Sequence, residues 1–156
     1  MSLKGSGMWW ENEVFGCSSK EFAQPAGKDW LDAVEEVIAC QGRYHWNPTN
    51  PRTNAGTRIY LSVKSNLAEE HRHMLEFYCA IGTALDWYYC TDGFFKIKKY
   101  IVCVDLTMKH PQQKKYQKKR NIVIITPRDD VADYQKVGQE IADIFNRELS
   151  KVGQAE

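Results

Sequence analysis

The sequence lacks three features that would assign it to a specialised class of protein. Its five cysteines include no CxxC pair and their number is odd, which argues against a disulfide framework or a zinc site and favours a reducing compartment. There is no apolar run long enough to span a membrane, and no signal-peptide pattern. The net charge of +1 creates no overall field that would select a partner. We therefore expect a cytoplasmic protein without a membrane partner, in which nucleic-acid binding would require local clusters of charge.

The length and composition suit a single folded unit. The chain has 156 residues, of which 43% are hydrophobic, and this is enough for one core but too little for two ordinary domains. Residues 1–7, with the sequence MSLKGSG, are typical of a flexible leader or an expression scar. We expect one α/β domain over residues 8–156.

The spacing of apolar residues predicts the order of helices and strands. Residues 42–57 are rich in proline, asparagine and glycine and indicate a long loop. Helices are predicted over residues 29–40, 66–82 and 130–150. Strands are predicted over residues 58–63, 85–90, 93–97, 100–108 and 121–126. This order predicts a mixed central β-sheet flanked by helices.

The predicted hairpin carries two aspartates, Asp92 and Asp105, that are not needed to form a hairpin. If the turn is centred on Lys98 and Lys99, paired residues have numbers that sum to 197, and Asp92 lies opposite Asp105. Opposed carboxylates destabilise a sheet unless one is protonated or a cation lies between them. Mg²⁺ typically takes one or two carboxylates together with water and phosphate oxygens, so the pair fits such a cation. Structural roles stay open, because Asp92-Gly93 is a common turn dipeptide and Asp105 can bond to a backbone amide or a lysine.

Two further features could belong to the same site. Glu70 lies near the edge of the apolar stripe of the predicted 66–82 helix, where the alternative is a solvated boundary glutamate. Residues 109–120, which we call the basic connector, contain six Lys or Arg and no acid. Such a run is usually only solvated. Directly after a strand bearing Asp105, however, its lysines suit a phosphodiester backbone.

These residues resemble the core of the PD-(D/E)XK nuclease superfamily, which has a restriction-endonuclease-like fold. In that family a helix, often bearing a glutamate, precedes a meander of strands. One aspartate begins the second strand, and an acid-X-lysine triplet lies about a dozen residues later in the third. Asp92 matches the first acid, Asp105 the second, and Glu70 stands for the helix acid. The resemblance covers residues 66–126 and implies a nuclease-like core over about 66–150.

The sequence departs from the family pattern at the third position of the triplet. Asp105 is followed by Leu106 and Thr107, so a threonine stands where the family usually has a lysine. That lysine is thought to position or activate the attacking water, and a neutral hydroxyl cannot supply its charge. Lys109, two residues further along the same strand face, is the candidate replacement, with Lys64 and Lys96 as alternatives. The family's crossover helix would also have to fit within the basic connector, which is short and contains a proline.

The resemblance implies a metal-dependent nuclease that cleaves phosphodiester bonds of DNA or RNA, with Mg²⁺ or Mn²⁺ as cofactor. Asp92 and Asp105 would hold the metal, with Glu70 as an additional ligand. Thr107 would orient the water or the metal shell, and Lys109 would contact phosphate. Nucleic-acid contacts are expected from Lys114, Lys115, Lys118, Lys119 and Arg120.

Two other hypotheses stay open beside the nuclease. One is a non-catalytic domain that binds nucleic acid through the basic connector, on a nuclease-like α/β fold. The other is a protein-interaction or small-ligand domain in which the aspartates are structural. A homodimer is also left open, because many nucleases of this kind pair in order to cut two strands.

Overall fold

The computed structural model describes residues 7–107, 122–125, 127–128 and 131–155. Over these ranges the chain is a mixed α/β protein in which helices cover a four-stranded sheet. The helices are α1 (Gly7–Phe15), α2 (Trp30–Ala39), α3 (Asn54–Asn66), α4 (Ala84–Tyr89) and α5 (Tyr134–Ala155). The strands are β1 (Glu76–Cys79), β2 (Gly93–Ile97), β3 (Tyr100–Leu106), β4 (Ile122–Ile125), β5 (Pro127–Arg128) and β6 (Val131–Ala132). Short 3₁₀ helices occupy Ser19–Glu21, Gln41–Tyr44 and Glu69–Met74.

The sheet has the strand order β1-β2-β3-β4, in which the first three strands form an antiparallel meander and β4 lies parallel to β3. Gly93 pairs with Val104 and Ile97 pairs with Tyr100, so paired numbers sum to 197 (93 + 104 and 97 + 100). The predicted hairpin register is thereby confirmed. Strands β5 and β6 pair with each other in a separate two-stranded ribbon.

Two apolar layers bury the two faces of the sheet. Residues of α1, α3 and α5 pack on the face that carries Phe77 and Phe95, whose rings stack with centroids 4.1 Å apart. Residues of α2 and α4 pack on the opposite face, which carries Phe94 and Cys103. Because consecutive side chains of a strand alternate between faces, Asp105 is directed to the α2–α4 side together with Cys103.

The outer edge of β1 is closed by side chains and backbone from residues 41–48. The Gln41 amide bonds to both backbone groups of Cys79, donating from Nε2 to the carbonyl over 2.8 Å and accepting from the N–H over 2.9 Å. Trp46 donates its indole N–H to the carbonyl of Phe77 over 2.8 Å, and the N–H of Phe77 donates to the carbonyl of Pro48. These contacts satisfy the exposed backbone groups of an edge strand, which would otherwise be open to pairing with another chain.

Several predicted elements are confirmed. Helix α2 begins after Asp29, whose carboxylate accepts a hydrogen bond of 2.9 Å from the N–H of Asp32, as an N-cap residue does. Strands β2, β3 and β4 lie within the predicted ranges. The C-terminal helix is present from Tyr134 onward. Of the expected leader, residues 1–6 lie outside the described ranges and Gly7 begins α1, a helix that the sequence pattern did not predict.

The predicted strand over residues 58–63 is wrong, because these residues belong to α3. The helix begins inside the predicted long loop, at a cap formed by Thr53, whose hydroxyl accepts a hydrogen bond of 2.9 Å from the N–H of Gly56. Ile59, Tyr60 and Val63 are buried, and their spacing of one and four residues is that of a helix. Leu61, which a strand would bury on the same face as Ile59 and Val63, is 54% exposed.

Two more predicted elements are wrong. The predicted 66–82 helix is instead the 3₁₀ helix Glu69–Met74 followed by β1. The predicted strand over residues 85–90 is the short helix α4, which ends at Cys90 in a left-handed conformation with a φ of 53°. Apolar residues on both faces of β1 imitate a continuous helical stripe, because both faces of this sheet are buried.

No helix in the described part of the chain combines the length and the apolar character needed to cross a membrane. All five cysteines fall within the described residues, and each of them is a free thiol.

Candidate functional site

Asp92 and Asp105 lie next to each other at the end of the β2–β3 hairpin, and their side chains are only 6% and 4% exposed. The N–H of Asp92 donates to the carbonyl of Val104 over 2.9 Å, and Val104 is also the strand partner of Gly93. Two residues of one strand therefore face one residue of the other, as in a β-bulge. The paired register ends at Gly93 and Val104, and Asp92 and Asp105 are the next residues along the two strands.

A third carboxylate reaches the pair from helix α4. Asp86 lies in the first turn of α4 and accepts a hydrogen bond of 2.8 Å from the N–H of Gly82 at its Oδ2 atom. The carboxyl groups of Asp86 and Asp105 both lie within hydrogen-bonding reach of Asp92. Sequence reasoning missed Asp86 because residues 85–90 were interpreted as a strand, and in a helix the same residue turns toward the sheet.

A fourth carboxylate comes from helix α1, far away in the sequence. Glu11 is buried, and its Oε1 atom accepts a hydrogen bond of 2.8 Å from the N–H of Ser19. It also interacts electrostatically with Asp86 and Asp105. We refer to Glu11, Asp86, Asp92 and Asp105 together as the acid cluster. The signal that could have revealed Glu11 is weak: it is an acid beside Trp10 and Val14 in a segment of apolar residues.

Burial and mutual repulsion oppose the ionisation of all members of the acid cluster at the same time. Burial raises the pKa of Asp92 well above its usual value, and the carboxylates of Asp86 and Asp105 raise it further. Burial also raises the pKa of Glu11, with a smaller opposing effect from the N–H of Ser19. A proton on Asp92 relieves the repulsion, and a bound cation would relieve it in the same way.

The oxygen donors of the acid cluster suit a hard divalent cation such as Mg²⁺, which is bound by carboxylates and water rather than by sulfur or imidazole. Within the described ranges, however, no group of three or more His, Cys, Asp or Glu side chains is arranged to hold a metal ion. A cation held by only two carboxylates would need ligands from outside the protein. Mg²⁺ sites that complete their shell with water and substrate phosphate have this character.

Glu70 is not brought to the acid cluster. It lies in the 3₁₀ helix Glu69–Met74, its side chain is 73% exposed, and its carboxylate is 3.9 Å from the His71 imidazole. The chain then enters β1 at Glu76, which pairs with Lys96 near the turn of the hairpin. Asp92 lies at the other end of β2, so Glu70 lies toward the opposite end of the sheet from the acid cluster and does not take the role predicted for it.

The two alternative lysines also lie away from the acids. Lys96 forms an ion pair of 3.8 Å with Glu76, and its strand partner Ile101 is four residues from Asp105, or about 13 Å along a strand. Lys64 is in the last turn of α3, with its ammonium 5.8 Å from the centre of the Tyr60 ring. Neither position supports the role of the missing motif lysine.

Thr107 is buried and directly follows β3, where its N–H donates to the carbonyl of Ile125 over 3.2 Å. It therefore lies two residues beyond Asp105, at the carboxyl end of the two parallel strands. The remaining predicted site residues lie outside the described ranges: Lys109, Lys114, Lys115, Lys118, Lys119 and Arg120.

A cavity of about 380 Å³ lies beside the acid cluster and shares one of its residues. Its lining combines a lysine, a serine, two aromatic rings and a carboxylate, contributed by Ser19, Lys20, Phe22, Asp86 and Trp87. Lys20 is a cationic residue next to the acids that the sequence pattern did not single out. Its segment reaches this position only because the chain between α1 and α2 folds back over α4.

Comparison of the chain with protein-family models, with curated proteins and with solved structures found no match. The resemblance to the PD-(D/E)XK nucleases therefore stays a prediction from the residues. Chemical evidence for a function comes from the acid cluster and the cavity beside it.

Proposed function

We propose that the protein is a metal-dependent nuclease that hydrolyses phosphodiester bonds on a restriction-endonuclease-like core. The observation that carries this proposal is the placement of two buried aspartates, Asp92 and Asp105, side by side at the end of the β2–β3 hairpin. Buried like charges oppose folding, and a fold gains nothing from placing them together. A divalent cation and a phosphate ligand make the same arrangement favourable.

The topology of the sheet supports the proposal. The resemblance implies a meander of three strands followed by a crossover to a fourth, and β4 does pair in parallel with β3 after an antiparallel meander. Parallel neighbours need a connection of about a dozen residues or more. Fifteen residues, 107–121, join these two strands.

The third acid of the proposed site is Glu11 rather than Glu70. The resemblance implies a helix that bears a glutamate and precedes the meander. Helix α1 precedes β1, and Glu11 interacts electrostatically with Asp86 and Asp105. In the proposal Glu11 adds negative charge around the cation through a water molecule, because the acids form no set of three ligands in the described residues.

The residues of the chain have distinct tasks in this scheme. Mg²⁺ or Mn²⁺, when bound, lowers the pKa of a water ligand and offsets charge on the scissile phosphate. Asp92 and Asp105 would hold the cation, whose charge would favour the ionised form of Asp92. The N–H of Leu106 keeps the Asp92 carboxylate oriented through a bond of 2.7 Å to Oδ2. Thr107 orients water at the carboxyl end of β3.

The basic connector would supply contacts to the phosphate backbone. It begins two residues after Thr107 in the sequence and contains six Lys or Arg without an acid. In the proposal Lys109 contacts the phosphate nearest the acids, and the later basic residues of the connector bind the flanking backbone. Such contacts release counterions and make binding strongly dependent on salt.

The first test is a thermal-shift titration with Mg²⁺ and Mn²⁺, followed by cleavage assays on single-stranded DNA, duplex DNA and RNA. The parent should melt at a higher temperature with metal, because ligand at 100 times its dissociation constant stabilises a protein by about 2.7 kcal/mol. Asp105→Asn should abolish this rise and reduce cleavage by at least about a hundredfold. Glu70→Gln, which changes an exposed carboxylate away from the site, should behave like the parent.

One observation favours a second candidate, a domain that binds nucleic acid without cutting it. Thr107 stands in place of the motif lysine, and neither Lys64 nor Lys96 replaces it. This alternative predicts strongly salt-dependent binding that Asp105→Asn does not change. If the parent cleaves none of the substrates with either metal and still binds them, the nuclease proposal is wrong and the binding domain is supported.

A further inference from the structure

The cavity next to the acid cluster has the chemistry of a nucleotide-binding site. One residue, Lys20, can offer positive charge to a phosphate, and two residues, Phe22 and Trp87, offer aromatic surface. Asp86 belongs both to the lining of the cavity and to the acid cluster. A ligand in the cavity would therefore touch the proposed catalytic centre.

The aromatic surface of the cavity is partly held in place by its surroundings. The Arg43 guanidinium lies 4.2 Å from the centre of the Phe22 ring, and Gly82 approaches that ring so closely that an added Cβ would be 2.6 Å from it. Trp87, in contrast, is 47% exposed on the outer side of α4. A large exposed indole contributes little to the core, but it is well suited to stacking against a planar ligand.

We infer that this cavity binds one unstacked nucleotide of a single-stranded nucleic acid, with its base against Trp87 and a phosphate beside Lys20. This inference rests on the proposed nuclease function and names its substrate class. Stacking of a base on an aromatic side chain contributes about 1–3 kcal/mol and requires a free base face. A base within a duplex is covered by its neighbours and would first have to be flipped out.

The size of the cavity favours a single nucleotide over a duplex. A volume of about 380 Å³ is close to the lower limit for pockets that hold one small ligand. A duplex is contacted through its grooves and backbone over a much larger surface. With its base at Trp87, a strand would pass Asp86, the member of the acid cluster that lines the cavity.

Binding should be measured in EDTA by fluorescence anisotropy, with a fluorescein-labelled twelve-residue oligothymidylate as the single strand and a duplex of equal length as the comparison. Trp87→Ala should weaken binding of the single strand by about tenfold, and Trp87→Phe should retain most of it. Leu31→Ala, which removes another exposed apolar side chain, should bind like the parent. Thermal melting of each variant separates loss of binding from loss of folding.

A second readout uses the tryptophans themselves. Trp10 and Trp46 are buried and Trp9 and Trp30 are partly buried, whereas Trp87 is 47% exposed and lines the cavity. Oligothymidylate should therefore quench part of the tryptophan emission of the parent, and this quenching should be lost in Trp87→Phe. Lys20→Gln should lower the salt dependence of single-strand binding by about 0.7 in the slope of log K against log salt.

Failure of the inference can be distinguished from failure of the proposed function. The inference is overturned if the parent does not bind oligothymidylate, if Trp87→Ala binds it like the parent, or if this variant loses duplex binding to the same extent. None of these outcomes affects the loss of cleavage expected for Asp105→Asn. Binding that depends on Trp87 in a protein without any metal-dependent cleavage would support the cavity and contradict the nuclease.

Discussion

The backbone N–H of Leu106 donates a hydrogen bond of 2.7 Å to the Oδ2 atom of Asp92. This bond crosses from β3 to the residue that precedes β2, and it holds the Asp92 carboxyl group against the strand that carries Asp105. The result is a buried pair of acids held together by two hydrogen bonds between Asp92 and the backbone of β3. The backbone of β3 thus orients a carboxylate of the proposed metal site.

The first prediction concerns the dependence of stability on pH. Burial and the nearby carboxylates raise the pKa of Asp92, so between the ordinary aspartate pKa of about 3.9 and the raised value the folded state holds a proton that the unfolded chain has released. The free energy of unfolding contributed by Asp92 should therefore fall as the pH rises through that interval. Urea unfolding at several pH values measures this dependence.

The matched variant for this prediction is Asp92→Asn. The asparagine oxygen can still accept from Leu106, and its NH₂ group can donate to Asp86 or Asp105 as a protonated carboxyl does. The variant should be more stable than the parent at pH 8, and the difference should shrink toward acidic pH. Asp32→Asn, on the exposed side of α2, should follow the parent at every pH, and equal profiles for the parent and Asp92→Asn would contradict the prediction.

The second prediction separates Glu11 from the other glutamates. Glu11→Gln keeps an acceptor for the N–H of Ser19 but removes the charge, so cleavage should fall by about tenfold or more in kcat/KM. Its stability at pH 7 should be unchanged or higher, because burial opposes the ionised form. Glu13→Gln, on the exposed side of the same helix, is the control. Full activity in Glu11→Gln would exclude Glu11 from the site.

The third prediction tests how the edge of β1 is closed. Gln41→Ala removes both hydrogen bonds to the backbone of Cys79 and leaves two buried polar groups without those partners. We expect a loss of about 3 kcal/mol in the free energy of unfolding. Gln139→Ala, at an exposed position of α5, should cost less than about 0.5 kcal/mol. A loss below about 1 kcal/mol for Gln41→Ala would show that water or a shifted backbone replaces the amide.

The fourth prediction concerns the basic connector. Replacing Lys114, Lys115, Lys118, Lys119 and Arg120 together by glutamine should weaken binding of nucleic acid at low salt. If each residue contacts a phosphate of a single strand, the slope of log K against log salt should decrease by about 3–4. Glutamine replacement of Lys98 and Lys99, at the far turn of the hairpin, is the control. An unchanged slope in the connector variant would show that those residues are only solvated.

The hairpin could be predicted from the sequence, whereas the elements around it could not. Its two strands are adjacent in the chain and joined by a short turn, so the register from Gly93 to Val104 follows from local spacing. Glu70 was assigned to the site because residues 66–82 looked like one helix. The chain instead has a 3₁₀ helix followed by a strand there. The prediction is wrong because a strand that is apolar on both faces can imitate the apolar stripe of a helix.

The proximity of Asp92 and Asp105 follows from local sequence, because a hairpin is a local structure and both aspartates lie at its open end. Which other residues join them depends on the packing of distant elements. Glu11 is 81 residues from Asp92 in sequence, and it arrives because α1 packs over the ends of the strands. Asp86 arrives because the burial of α4 overrides a sequence that also suits a strand. Contacts of this kind depend on the packing of the whole core, and no short window of sequence contains that information.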